Sequence, residues 1–270
     1  MAPFHCLTFL TDYGLEDGFV AACHGVALQI APETRIIDIT HLVPPGDIRR
    51  GAAVLAQTGR YLPPAVHVAV VDPGVGTARR GVAIAAGDSL FVGPDNGLLS
   101  WAVAEAGGAT EAVSLTNRAL WLDTATATFH GRDIFMPVAA HLAAGAPLAR
   151  AGDHLDVASL VTLPRLASRI TGGRIDAEVL TVDRFGNAQL SVTGPDAARA
   201  GLTPGTAATL AWGSRQQTVP VGVTFADVAA GDVVCFQDSA GYVAIAVNGG
   251  NAAQRLGLQP GTLVTLTVTK

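Results

Sequence analysis

Between Val66 and Val71 only His67 interrupts the apolar side chains, and a segment apolar on both faces belongs inside a parallel sheet covered on each side. Leu7-Thr-Phe-Leu10 is a shorter strand of the same kind. From Asp17 to Ala31 the spacing changes: Phe19, Val20, Cys23, Val26, Ala27 and Ile30 recur at helical intervals, and Pro32 closes the run. Arg35 to Thr40 returns as a strand, Asp47 is placed to cap a helix from Ile48 to Tyr61, and Pro63-Pro64 breaks the chain. The order β-α-β-α-β predicts a mostly parallel sheet with helices on its faces.

Gly81 to Ala86 and Ser89 to Gly93 form a hairpin about Gly87-Asp88, and Pro94-Asp-Asn-Gly97 is a turn that exposes Asp95 and Asn96 ahead of a helix from Leu98 to Ala106. His130-Gly131 stands just before a helix that runs to about Ala144. Periodicity then fades, and Ala146 to Gly173, with Pro147, Gly152, Pro164 and Gly172-Gly173, reads as a linker. Beyond Arg174 come short strands and turns only: 177–183, 188–192, 207–212, 218–223, 232–236, 242–247 and 262–268. Strands at this spacing predict a small antiparallel barrel or sandwich. The expected organisation is an α/β domain over residues 1–165 and a smaller all-β barrel domain over 166–270.

Composition narrows the partners. With 14% charged residues, a formal net charge of −5 and no basic run longer than Arg49-Arg50 or Arg79-Arg80, a nucleic-acid groove is not expected. No run of about 18 apolar residues marks a membrane span. The three cysteines, Cys6, Cys23 and Cys235, are far apart and without CxxC spacing, as in a reducing compartment, so a cytoplasmic location is expected. The histidines show no HExxH-like interval, and no metal site is expected. Gly74-Val-Gly76 does not continue into a dinucleotide fingerprint, and neither a P-loop nor a GxSxG elbow occurs.

The chemistry sits at strand ends. Asp72 terminates the Val66–Val71 strand, Pro73 holds it extended, Gly74 and Gly76 turn the chain sharply, and Arg79 follows seven residues later. Asp12 ends the first strand and is expected on the same edge, where ligands of open α/β sheets bind. A set of Asp, Arg and His130 can orient a water: the imidazole exchanges a proton while carboxylate and guanidinium fix geometry and charge. In the second domain, Thr181-Val-Asp-Arg-Phe-Gly-Asn-Ala188 offers Phe185 and Asn187 to a nucleoside, or else is a hairpin turn in which Gly186-Asn187 supplies positive φ.

Leu10-Thr-Asp-Tyr-Gly14, Val71-Asp-Pro-Gly-Val-Gly-Thr-Ala-Arg79, Gly93-Pro-Asp-Asn-Gly97, Phe129-His-Gly-Arg-Asp133, Asp183-Arg-Phe-Gly-Asn187 and Ser239-Ala-Gly-Tyr with Ala246-Val-Asn248 together resemble the S-adenosyl-L-methionine hydroxide adenosyltransferases, relatives of the fluorinating and chlorinating enzymes. The resemblance implies attack of water or hydroxide on the 5′ carbon of S-adenosylmethionine, giving adenosine and L-methionine. It implies no metal or redox cofactor, and a homotrimer with active sites at subunit interfaces. By motif, Asp72, Arg79 and His130 would handle the water and Asp12 the ribose hydroxyls. Asp183 and Ser239 would contact the methionine amine and carboxylate, while Phe185, Asn187, Val247 and Asn248 would flank adenine. Halogenating members carry Tyr-Pro at Asp72-Pro73, Tyr-Ser at His130-Gly131 and Trp at Gly46, and a halide would meet the Asp72 carboxylate, so water is favoured. Ala240 stands where they have Arg. A halogenating enzyme and a nucleoside-binding module with negligible turnover are the alternatives.

Overall fold

The computed structural model describes residues 4–164 and 168–269, and the chain divides into one compact unit ending at Leu163 and a second beginning at Pro164. The boundary expected between 165 and 166 lies outside the described residues. Among the described residues no helix is long and apolar enough to cross a membrane.

The first unit contains β1 (Cys6–Thr11), α1 (Phe19–Ile30), β2 (Arg35–Thr40), α2 (Ile48–Gly59), β3 (Val66–Val70), β4 (Gly81–Ala86), β5 (Ser89–Pro94), α3 (Ser100–Glu105), β6 (Ala109–Ser114), α4 (Met136–Ala143) and β7 (Asp153–Leu155). Their order across the sheet is β2-β1-β3-β5-β4-β6-β7. The crossovers fall where the periodicity puts them, and Asp47 caps α2 by accepting from Arg50 N–H at 2.9 Å. The strands alternate between two cores. Leu7, Phe9, Val66, Val68 and Val70 pack on one face with residues of α1 and α4, and Leu10, Ala69 and Val71 pack on the other with residues of α2 and α3.

The sheet is mixed rather than mostly parallel. β2, β1, β3 and β5 pair in parallel, whereas β4, β6 and β7 are added antiparallel. The β4–β5 hairpin is the cause: it turns through Gly87 at φ +54°, where a Cβ would stand 2.8 Å from the carbonyl of Ala106, and β5 rather than β4 pairs with β3. The stretch expected as a linker also belongs partly to this sheet, because β7 pairs with β6 and Arg80 donates to the Ser159 carbonyl at 2.6 Å. Its elements, three or four residues long, are too short to show periodicity.

The second unit contains β8 (Arg169–Thr171), β9 (Arg174–Val182), β10 (Ala188–Thr193), α5 (Gly194–Arg199), β11 (Ala207–Trp212), β12 (Arg215–Pro220), β13 (Val233–Gln237), β14 (Tyr242–Val247), α6 (Ala252–Leu256) and β15 (Leu263–Thr269). The strands pair antiparallel in the order β12-β11-β15-β9-β10-β14-β13, with β8 on β9. A bridge from Val221 to Cys235 links the two ends, so the sheet nearly closes around its apolar core. The helices α5 and α6 escaped the sequence pattern because each spans less than two turns, although Thr193 and Asn251 cap them.

Candidate active site

The site follows from strand order. The order in which successive strands are added reverses at β1, with β2 on one side and β3 on the other, and the crevice beyond the carboxyl ends at such a switch point is where open α/β sheets bind ligands. Thr11 pairs with Val70, so Asp12 and Asp72 leave the sheet side by side, as expected. Asp12 Oδ2 accepts from Gly46 N–H at 2.8 Å, and Gly46 adopts φ +74° to present that donor. Asn96 Nδ2 donates to the Val71 carbonyl at 2.9 Å and fixes the end of β3. Asp95, expected to be exposed, is buried: it accepts from Arg80 Nε at 2.9 Å and from Val161 N–H at 2.9 Å.

The glycine turn brings Arg79 back. Val75 N–H donates to the Asp72 carbonyl and Thr77 N–H to the Gly74 carbonyl, each at 3.2 Å, while Thr77 Oγ1 accepts from Arg79 N–H at 3.3 Å. Gly76, at φ +77°, lies so close to Ala127 that a Cβ would stand 2.6 Å from its carbonyl oxygen. Arg79 Nε donates to Asp72 Oδ1 at 3.0 Å and its Nη2 to Asp72 Oδ2, a bidentate pair whose side chains are 10% and 5% exposed. The guanidinium lies 5.2 Å from the centre of the Phe135 ring, and Nη2 reaches His130 Nδ1 at 3.1 Å. Asp72, Arg79 and His130, 58 residues apart at the extremes, thus form one cluster.

This contact fixes the histidine tautomer. Guanidinium has no acceptor, so Nδ1 must supply a lone pair and the ring proton sits on Nε2. Burial and the Arg79 charge lower the His130 pKa below the ordinary value, outweighing Asp72 and Asp133, so the imidazole is neutral near pH 7. His130 opens a π-helical turn, Gly131–Phe135, that continues into α4. Asp133 anchors that turn by accepting from Thr126 N–H and Oγ1 at 2.8 Å each and from Arg132 Nε at 2.6 Å. Burial raises its pKa, but these bonds prevail and the net shift is downward.

Tyr13, within the Leu10–Gly14 motif, also belongs to the cluster. Its hydroxyl occupies the space a Cβ on Gly131 would need, 1.9 Å away. Its pKa is raised well above the usual tyrosine value, by burial first and then by Cys23, Asp12 and Asp72, against Arg79. The phenol is therefore a neutral donor beside two carboxylates.

In the second unit Asp183 organises its own loop. Oδ1 accepts from Phe185 N–H and Asn187 N–H at 2.9 Å each, and Oδ2 from Asn187 Nδ2 at 2.7 Å. Gly186 alone supplies the positive φ, and Phe185 is left 77% exposed. The Gly186 carbonyl accepts from Ala253 N–H at 2.9 Å, which sets this loop against the turn after Val247. Asn248 is held in place, its Nδ2 donating to the Val228 carbonyl at 2.8 Å and its N–H to the Asp232 carbonyl at 3.0 Å. Ser239 lies elsewhere, in the β13–β14 turn at the other end of β14 from Val247, so the structure does not bring it to Asp183.

Comparison with known proteins gives a coherent result. A family model for the SAM hydroxide adenosyltransferase N-terminal domain matches residues 7–152, and one for the SAM hydroxide adenosyltransferase C-terminal domain matches residues 177–265. Proteins named (R)-S-adenosyl-L-methionine hydrolase from Salinispora tropica and Salinispora arenicola are 58% and 53% identical, each match covering 99% of both chains. A fluorinase from an Actinoplanes species is 30% identical over 97% of both. A crystal structure of an uncharacterised conserved protein from Thermotoga maritima superposes with a TM-score of 0.91 at 36% identity, covering 97% of this chain and 99% of that one.

Proposed function

The chain belongs to the SAM hydroxide adenosyltransferase family, and on that premise we propose that it hydrolyses S-adenosyl-L-methionine to adenosine and L-methionine by attack of water on the 5′ carbon. The observation that carries this reading is the Asp72–Arg79–His130 cluster at the switch point. Asp72 uses two of its roughly four lone-pair directions on Arg79, and the others face the water. The new carbon–oxygen bond forms as the carbon–sulfur bond breaks, the sulfonium keeps the electron pair and leaves as the neutral thioether of methionine, and the water's proton passes to Asp72 and on to solvent. His130 Nε2–H donates to the water oxygen and fixes its direction. Charge is neutralised at sulfur as the bond breaks, so positioning and exclusion of bulk water are the main contributions asked of the protein.

Asp12 takes the ribose hydroxyls, Phe185, Asn187 and the backbone at Val247 to Gly249 take adenine, and Ser239 takes the methionine carboxylate. An extended substrate with its nucleoside and amino-acid ends apart suits the separation of Val247 from Ser239. Asp183, at the adenine end, accepts three bonds within its loop and so holds Phe185 and Asn187 in place; the methionine amine, which shares a carbon with the carboxylate at Ser239, is not given to it. The name shared by the Salinispora relatives supports the (R) sulfonium epimer as substrate. Halogenation is disfavoured, because a halide would stand against the Asp72 carboxylate and the fluorinase is the less similar relative.

The same reading makes the enzyme a homotrimer that completes each site at a subunit interface, with the second unit a barrel and no cofactor in the reaction. The buried thiols of Cys6, Cys23 and Cys235 support a cytoplasmic location. Purified enzyme given the separated epimers should release adenosine and methionine in equal amounts, faster from the (R) form. Saturable binding without product would reduce the protein to a nucleoside-binding module, and sedimentation tests the trimer.

A further inference from the structure

Two histidines expected to lack metal-site partners meet at a carboxylate. His24 comes from α1, Asp38 from β2 and His41 from just beyond β2, and their ligand atoms lie within 4.8 Å of one another. The α1 crossover and the parallel β1–β2 pairing close a gap that sequence spacing hides. His24 Nε2 is 2.8 Å from Asp38 Oδ1, and His41 Nε2 is 3.0 Å from the same oxygen. The second contact is not a hydrogen bond. His41 is only 4% exposed, yet its Nε2 has no hydrogen-bond partner among the described residues.

The other nitrogen of His41 is engaged, since Nδ1 lies 2.8 Å from Thr11 Oγ1. A buried imidazole held through Nδ1, with an unsatisfied Nε2 aimed at a second imidazole and a carboxylate, is arranged as a metal-binding histidine is. We propose that His24 Nε2, His41 Nε2 and an Asp38 oxygen bind one divalent late-transition cation, zinc above others, with water completing the shell on the solvent side. Two imidazoles and one carboxylate suit zinc, whereas magnesium and calcium favour all-oxygen shells. Tetrahedral zinc separates its ligand atoms by roughly 3.3 Å, so the 2.8 and 3.0 Å contacts need only a small opening. His24 and Asp38, with side chains 28% and 41% exposed, are free to make it.

The cation would act as a clamp. The His41 carbonyl accepts from Gly14 N–H at 2.8 Å and Thr11 Oγ1 accepts from Tyr13 N–H at 3.1 Å, so fixing His41 stiffens the segment carrying Asp12 and Tyr13. The hydrolysis itself passes no step through it.

The test is calorimetric titration of chelator-stripped, tag-free enzyme with zinc chloride, with His24→Ala and Asp38→Asn beside it. Both changes fall on solvent-accessible side chains, and circular dichroism checks their folding. One zinc per chain is expected, weakened at least tenfold in each variant. The parent should also gain thermal stability on zinc addition that both variants lose, and cobalt should give it a tetrahedral ligand-field spectrum. Absence of saturable zinc binding, or equal affinity in the parent and both variants, overturns the proposal, whatever the outcome of the hydrolysis assay.

Discussion

Replacing Gly131 by alanine tests how tightly the site is built. The new Cβ would stand 1.9 Å from the Tyr13 hydroxyl oxygen, roughly 1.5 Å inside ordinary contact distance. Tyr13 has little freedom to retreat, because its ring meets Phe9, Phe19 and Phe129 edge-on with centroids 6.3, 6.2 and 5.6 Å away. Forcing one methyl into a packed core costs about 1–3 kcal/mol, and this overlap belongs at the upper end, near 3 kcal/mol. Tyr13→Phe removes the offending oxygen and leaves the ring carbon Cζ at 3.0 Å, so the double variant should recover about 1–2 kcal/mol of that loss. Urea unfolding of parent, singles and double gives the four stabilities, and turnover should fall in Gly131→Ala because His130 adjoins the clash. A Gly131→Ala protein within 0.5 kcal/mol of the parent, or a double variant no more stable than Gly131→Ala, would refute the packing argument.

Asp72→Asn keeps an acceptor but leaves the Arg79 charge uncompensated in a nearly buried place. Steady-state adenosine release should show kcat lower by about 10²–10⁴ with KM changed only a few-fold, the range of lost proton-transfer catalysis. For His130 the depressed pKa means that the neutral, active form persists below the ordinary histidine value near 6.5. A profile of kcat/KM against pH should therefore stay flat through neutrality and fall only on the acid side, a limb that His130→Gln removes. His67, which contacts Thr8 Oγ1 at 2.9 Å, is lowered to about 4 by burial. The folded state then binds fewer protons than the unfolded one between about pH 6.5 and 4, so stability is complete above that window and falls as pH drops, by up to about 1.4 kcal/mol per unit. Urea unfolding across that window should show a shallower acid loss in His67→Leu, and identical slopes would count against it.

What the sequence revealed and what it hid have physical causes. Val66–Val70 and Cys6–Thr11 are legible because burial on both faces demands nearly continuous apolar runs, broken here only by His67, Thr8 and Thr11, and Asp12 and Asp72 stand out as the first acidic residues after them. The convergence of Arg79 on Asp72 follows from a glycine turn readable in seven residues, whereas its contact with His130 depends on how α4 packs against β1 and β3. The antiparallel half of the sheet was hidden because a hairpin does not announce which of its strands joins β3, and β7 is three residues long. Asp95 looked exposed because turn chemistry does not reveal that Arg80 folds over it. Tyr13 was passed over for want of a signal, since only the missing Cβ of Gly131 shows why its hydroxyl fits.

The central claim is that solvent water, held by Asp72, Arg79 and His130, becomes the 5′ oxygen of adenosine. Hydrolysis in water enriched in oxygen-18, followed by mass spectrometry of both products, tests it directly. One label at the 5′ oxygen of each adenosine and none in methionine is the predicted result. Adenosine released without label would contradict the account.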